Sequence, residues 1–392
     1  MTIVVIMVTK TILQFLANIQ IGFAQMRIMK NLRIKVLKSS LEASWSYFTG
    51  ISSGVLLNLI SKECISSSKS YHCVCSIIAI FLQLSVYLFT AMIVSSVGTI
   101  VVLLASVLMF LVLHNIINKT RLTAKKQTEN MNKFSKRLID LLLIIKPLLA
   151  MGNLKRIEPI LFREIIELKN NSMRILLLKK TLESSQEIIK ISSLAIMLYF
   201  VIYKANINFE TLLVMTIIFM RGIGVVGMLQ KEWQTVSAIE YPYKLVQKTI
   251  QDARHNKEKK GGEKSFEFNK SIVLEKISFK YENKDYIFKD LSLKINKGDF
   301  ISLVGSSGIG KTTLIDIIIG LLSVSKGNVL FDHKNINNIN MDSWKEKIGY
   351  VPQETMLLND TLYNNISLED KNITKRNVTE ALKMSGLTDF LK

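Results

Sequence analysis

Gly305-Ser306-Ser307-Gly308-Ile309-Gly310-Lys311-Thr312 matches, at every fixed position, the spacing of a loop that holds phosphate. Its glycines let the backbone turn tightly enough for consecutive N–H groups to point at a β-phosphate. Lys311 is placed to reach the β/γ oxygens, and the Thr312 hydroxyl to hold Mg²⁺. A helix dipole alone supplies about 0.3–1 kcal/mol. Several N–H bonds to a charged acceptor, at roughly 1.5–3 kcal/mol each, are what would make such a site bind. The chemistry implied is recognition of a nucleoside triphosphate with its magnesium ion, and Thr313 completes the expected nucleotide-binding run.

Two elements must position that loop. The apolar run Phe300 to Val304 is expected as a strand leading into it, and Leu314 to Leu322 as a helix leaving it. Around them Ile272 to Tyr281 and Leu291 to Ile295 alternate like strands, Lys297-Gly298-Asp299 makes a turn, and Gly327 to Phe331 and Ile348 to Val351 are two further expected strands. Thr374 to Met384 reads as a helix with Thr374 as its N-cap. This is an α/β nucleotide-binding domain, expected over residues 266–392.

Upstream the texture is different. The chain has 392 residues, 49% of them hydrophobic, with only four prolines. Its mean hydropathy is +0.28. That apolar content is too high for an ordinary soluble enzyme and points to membrane spans. Ser76 to Val97, Gly98 to Ile117, Ile188 to Tyr203 and Leu212 to Met228 are each near the ~20 residues a bilayer needs. Met1 to Ala24 is a weaker fifth stretch with Lys10 near its middle, a residue that must face a partner helix or a wet cavity if the stretch spans. No basic segment precedes it and no clear small-residue cleavage site follows, which argues against a signal peptide.

The formal charge of +20 does not imply nucleic acid, because the basic residues sit in loops beside apolar segments with no aromatic platform or groove-reading motif. Arg27 to Lys38 and Lys119 to Lys180 are basic, whereas Ser95 to Thr99 and Lys204 to Glu210 are nearly uncharged. The basic loops are expected on the cytoplasmic side and the N-terminus outside. The expected layout is a helical membrane domain over 1–252, a charged glycine-containing linker over 253–265, and the nucleotide-binding domain. The cysteines Cys64, Cys73 and Cys75 form neither a disulfide framework nor a metal pattern, and His72 beside Cys73 is expected in a loop.

Membrane helices followed by a phosphate-loop domain resemble an exporter half-transporter of the ATP-binding cassette (ABC) family, and local matches strengthen the resemblance. Phe279-Lys280-Tyr281 is similar to the family's adenine-stacking segment, which implies that Tyr281 lies against the base. Val351-Pro352-Gln353-Glu354 resembles the glutamine loop, which implies that Gln353 touches Mg²⁺ and the attacking water. Leu358 to Ile366 also resembles the exporter pattern after that glutamine. Tyr47-Phe48, Ser53-Gly54 and the helical Val55 to Glu63 resemble the first cytoplasmic loop, and Leu141 to Met151 the second.

The resemblance implies ATP and Mg²⁺ as cofactors, a homodimer or heterodimer with another half-transporter in a cell membrane, and a nucleotide-binding domain in the cytoplasm. It implies ATP hydrolysis coupled to export of a substrate that the sequence does not name. The sequence departs from the family in two places. It begins with what resembles the second of six spans, and residues 1–392 contain no Leu-Ser-Gly-Gly-Gln signature, no aspartate–glutamate strand and no switch histidine. The expectation is an incomplete nucleotide-binding domain with no catalytic residue of its own, as in a fragment, a split gene or a degenerate relative. The competing readings are a non-catalytic relative that binds ATP without transport, and a membrane-anchored phosphate-loop kinase or GTPase, which would leave Tyr281, Gln353 and the spans without explanation.

Overall fold

The computed structural model describes residues 1–94, 96–204, 209–258, 266–281, 285–353 and 357–387. The chain divides into two compact units, Met1–Lys259 and Lys260–Lys392.

The first unit is helical. Its long helices are α1 (Thr2–Leu41), α4 (Cys64–Val94), α5 (Ser96–Leu143), α7 (Leu154–Lys204) and α8 (Phe209–His255). The short helices α2 (Trp45–Gly50) and α3 (Ser53–Asn58) lie between α1 and α4, and α6 (Ile145–Ala150) lies between α5 and α7. These short helices fall on the segments that resemble the two cytoplasmic loops. Among the described residues, four stretches are long and apolar enough to cross a membrane: Val4–Leu41, Ser53–Val94, Thr99–Leu143 and Leu212–His255. The weak N-terminal stretch is thus among them. The expected span Ile188 to Tyr203 lies within α7 (Leu154–Lys204), its last side chains outside those described. Apolar side chains such as Val5, Phe15, Phe81, Phe89, Leu104 and Leu111 remain exposed along these helices. In a bilayer, lipid tails would cover them, because a lipid-facing surface needs no polar exterior.

Inside the bundle, Met109, Leu113, Ile117, Leu182, Met197, Phe219, Ile223 and Val226 form one buried cluster. Two polar devices interrupt the apolar packing. The run Leu59–Glu63 is one widened, π-helical turn between α3 and α4, a form that frees carbonyls from the regular ladder. Arg33 of α1 takes them up, its Nε donating to Ile60 O at 2.9 Å. Beside it the amide of Asn58 donates to Glu63 at 3.1 Å and to Asn132 of α5 at 2.6 Å, so a carboxylate that is 1% exposed has a donor.

The end of α8 is tied to the segment after α1: Ser44 N–H donates to Asn256 O at 2.8 Å, Glu258 N–H to Glu42 O at 3.1 Å, and Lys257 pairs with Glu42 at 2.9 Å. The first residues of the expected linker are therefore helical or paired, and 259–265 lie outside the described residues.

The second unit is built on a four-stranded sheet in the order β2-β1-β3-β4. The strands are β1 (Ser271–Phe279), β2 (Phe288–Asn296), β3 (Lys326–Phe331) and β4 (Lys334–Asn335), all antiparallel to their neighbours. The helices are α9 (Lys311–Ile318), α10 (Met341–Lys345), α11 (Leu362–Ser367) and α12 (Lys375–Met384). Leu274, Ile277, Ile317, Val329, Phe331 and Trp344 are among the core residues packed between them. Gly327 is required where β3 leaves β1: its φ is +85°, and a Cβ there would lie 2.4 Å from Lys276 O.

Two expected strands are corrected. Phe300–Val304 and Ile348–Val351 belong to no strand ladder among the described residues. A strand is made by its hydrogen-bonded neighbour as much as by its own residues. Ile348 still packs against the core, but Phe300 is 100% exposed, Val304 92% and Val351 89%.

Candidate functional site: a phosphate loop at the start of α9

The loop Gly305–Gly310 is exposed up to Ile309 and ends at the N-terminus of α9. Gly308 has φ +82° and Gly310 φ +107°, both in the left-handed region where a side chain is strained. At Gly310 space is also closed: a Cβ would lie 2.6 Å from Ile287 Cγ2 and 2.9 Å from Phe288 Cζ. The start of β2 is therefore the floor of the loop. The sequence pattern missed that contribution, because its alternation becomes visible only from Leu291 onward.

Lys311 folds back over the loop, with Nζ 2.7 Å from Gly305 O and 2.8 Å from Ser306 O. The residues present fit a triphosphate: the first N–H groups of α9 have no partner within the helix, nothing lies within 4 Å of a Cβ built on Gly308, and the Lys311 cation lies across the loop. The group such a site takes is anionic and oxygen-rich. Thr312, half a turn into α9, is exposed, whereas Thr313 is 7% exposed and faces the core.

Tyr281 is half-buried at the end of β1. Its ring meets Phe279 edge-on, centroids 5.0 Å apart at 84°, and its hydroxyl lies 3.4 Å from the Thr313 hydroxyl. The structure thus brings Tyr281 to the root of the phosphate-loop helix. A second tyrosine, Tyr286, has Lys280 Nζ 5.3 Å and Lys289 Nζ 6.0 Å from its ring centroid.

Gln353 is exposed on a bend, and among the described residues no hydrogen bond joins it to the loop. Glu354, the last residue of the expected glutamine loop, lies outside the described residues. Downstream the chain is tightly organised: the side chain of Asn365 accepts from Leu358 N–H at 2.7 Å and donates to Leu358 O at 3.0 Å, and Thr361 caps α11 through Asn364 N–H at 3.1 Å. Asp316 on α9 has its carboxyl pushed up by burial.

Comparison with known proteins places both units. Residues 1–224 match the family described as ABC transporter transmembrane region, and residues 288–392 the family described as ABC transporter. The chain is 39% identical over 121 residues to a Staphylococcus aureus protein described as a multidrug export ATP-binding/permease protein, covering 31% of this chain and 21% of that one. It is 33% identical over 135 residues to multidrug resistance protein pgp-1 of Caenorhabditis elegans, covering 34% of this chain and 10% of the other. The matched stretches therefore span a small part of each relative. A solved bacterial Atm1-family ABC exporter with ATP bound has the same fold, with a TM-score of 0.85 at 18% identity, covering 97% of this chain and 68% of that one. With its transmembrane region matched over more than half of its length and a phosphate loop at the expected place, the chain belongs to the ABC transporter family.

Proposed function

We propose that the chain is the ATP-binding subunit of an exporter, working as a homodimer or heterodimer with a second half-transporter and carrying its nucleotide-binding domain in the cytoplasm. The observation that carries this reading is the phosphate loop, with its left-handed glycines and the Lys311 cation, in a chain whose helical unit belongs to an exporter-type membrane domain. Nucleotide binding would close two such domains on each other, and the short helices α2, α3 and α6 would pass that closure to the long helices. The multidrug-export names of the relatives support an export direction, and the transported compound is left open.

In the proposed site the N–H groups of 305–311 and Lys311 Nζ bind the phosphates, Tyr281 packs on the base, and Thr312 and Gln353 hold Mg²⁺. A magnesium ion held there would supply positive charge against that developing on the phosphate. The groups that would orient water and complete the donor set have no counterpart in residues 1–392, so the polypeptide of this sequence is proposed to bind Mg-ATP and, by itself, to release phosphate at background rate.

The test is phosphate release and fluorescent-ATP binding by the full chain in nanodiscs, alone and mixed with a complete half-transporter. Binding that disappears in Lys311→Ala supports the assignment. Robust turnover by the isolated chain, abolished by the same substitution, would show that a residue within 1–392 performs the hydrolytic step.

A further inference from the structure

Far from the phosphate loop, a nitrogen, a sulfur and an oxygen donor converge between two helices of the membrane domain. His72 and Cys73 of α4 and Glu232 of α8 place their ligand atoms within 4.8 Å of one another. His72, expected from sequence in a loop, stands in the middle of a helix, and the partner that completes the group comes from a distant part of the chain. We propose that His72, Cys73 and Glu232 form a binding site for a divalent transition metal of zinc-like character, clamping α4 to α8.

The geometry suits such an ion. Neighbouring helical positions point about 100° apart. Cys73, 2% exposed, faces inward, whereas His72 is exposed and Glu232 half-buried. The cluster is therefore closed on the sulfur side and open on the imidazole side. A tetrahedral ion with bonds of 2.0–2.3 Å holds its donors roughly 3.3–3.8 Å apart, which small side-chain torsions reach from the observed spacing. Three protein donors of mixed N, S and O type leave a fourth position for water, on the exposed side.

The donor mix selects against the alternatives. Calcium and magnesium require oxygen cages, and a thiolate with an imidazole favours zinc, cobalt or their neighbours. The Cys73 sulfur and the Glu232 carboxylate lie within 4.8 Å of each other, and a metal ion bound between them would take the place of the thiol proton, which leaves to solvent. Ser76 Oγ lies 3.4 Å from His72 Nδ1 and offers one ring nitrogen a partner, the kind of outer contact that orients a ligand ring. Lys69, one turn before Cys73, is the nearby charge that opposes a cation. The position adds a reason for a clamp: Ser76 opens the apolar stretch of α4 and Met228 closes that of α8, so the ion would pin the two helices where both leave the apolar layer.

The experiment titrates Co²⁺ alone into the full chain in detergent and follows the near-ultraviolet thiolate-to-cobalt charge-transfer band, with Zn²⁺ as competitor. Expected are a single ion per chain, displacement by zinc, loss of the band in Cys73→Ser, and affinity weakened at least about a hundredfold in His72→Asn and in Glu232→Gln. Cys75→Ser should leave the titration unchanged. His72 is exposed, so His72→Asn tests the site without endangering the fold, and circular dichroism with size-exclusion chromatography checks each variant. Absence of the band in the native chain, unaltered binding in His72→Asn, or loss of the band in Cys75→Ser instead of Cys73→Ser would each overturn the proposal.

Discussion

The side-chain amide of Gln186 on α7 donates to the side-chain oxygen of Gln230 on α8 at 2.9 Å, inside the apolar interior of the helical unit. Gln186 is 6% exposed and Gln230 fully buried. The pair is anchored at both ends, Gln186 to Gly227 O at 3.2 Å and Gln230 to Met109 O of α5 at 3.0 Å. One polar seam therefore ties three helices. Gln230→Ala should destabilise the unit by about 1–3 kcal/mol, because it leaves a buried amide short of an acceptor. Gln186→Leu combined with Gln230→Met should cost less than the sum of the two singles. Denaturant unfolding in detergent measures both, and strict additivity would refute the coupling.

Lys311→Ala should weaken ATP binding ten- to a hundredfold or more, since removing a charged donor loses roughly 1.5–3 kcal/mol of bonding to phosphate. The same side chain bonds Gly305 O and Ser306 O, so amide hydrogen exchange of the loop should also speed up in the nucleotide-free variant. An unchanged dissociation constant for a fluorescent ATP analogue rules the assignment out.

Tyr281→Ala should weaken ATP and GTP alike, at roughly 1–3 kcal/mol for a stacked base, because a π-face discriminates poorly between purines. Since the ring also packs on Phe279 and its hydroxyl lies 3.4 Å from that of Thr313, Tyr281→Phe is the informative control. It should retain most of the affinity. Equal losses in both variants would mean that the hydroxyl, not the ring face, matters.

Gly54 sits where α3 meets α5, and a Cβ there would stand 2.5 Å from the carbonyl carbon of Ser135. Backbone cannot give way as a side-chain tip can, so Gly54→Ala should cost about 1–3 kcal/mol by overpacking. Gly50→Ala, with nothing within 4 Å of the added atom, is the matched control. Thermal unfolding of the two variants side by side decides it.

Burial pushes the Asp332 carboxyl up, but three backbone donors outweigh it and hold it below the ordinary range. They are Asn269 N–H at 2.5 Å, Lys270 at 2.6 Å and Ser271 at 2.8 Å. A carboxyl with a depressed folded-state value contributes stability that is full above the unfolded value and lost as pH falls through the folded one. Protection of the amides at 269–271 in the full chain, with exchange rates corrected for their intrinsic pH dependence, should therefore be high at neutral pH and fall in acid. Asp332→Asn should show low protection at both, and a native protection profile without acid dependence would contradict the assignment.

What the sequence made legible was local. The phosphate loop is a contiguous run, and Thr374 caps α12 through Asn377 three residues on, in a complete capping box; both are written in neighbouring letters. The expected turn at 297–299 holds for the same reason, with Asp299 N–H bonded to Asn296 O at 3.1 Å. What stayed hidden depends on residues far apart in sequence. Ile287 and Phe288 pack on Gly310 only because β2 begins earlier than its alternation suggests. The Arg33 contact with the π-helical turn, the Gln186–Gln230 seam and the convergence of His72 with Glu232 exist only once helices are packed. Phe300–Val304 has the composition of a strand, yet it joins no ladder among the described residues, because strand identity is conferred by a partner.

That last segment bears on how the polypeptide behaves in solution. Outside any ladder among the described residues and with Phe300, Val304 and Val351 exposed, Phe300–Val304 and Ile348–Val351 have the apolar character that makes sheet edges adhere to one another. The formal charge of +20 opposes self-association by repulsion, and that repulsion fades as salt shortens the screening length to about 10 Å at 0.1 M. Colloidal stability of the purified chain should therefore fall with rising ionic strength, so that precipitation tracks salt rather than temperature, and light scattering across a salt series would register it before any loss of helix.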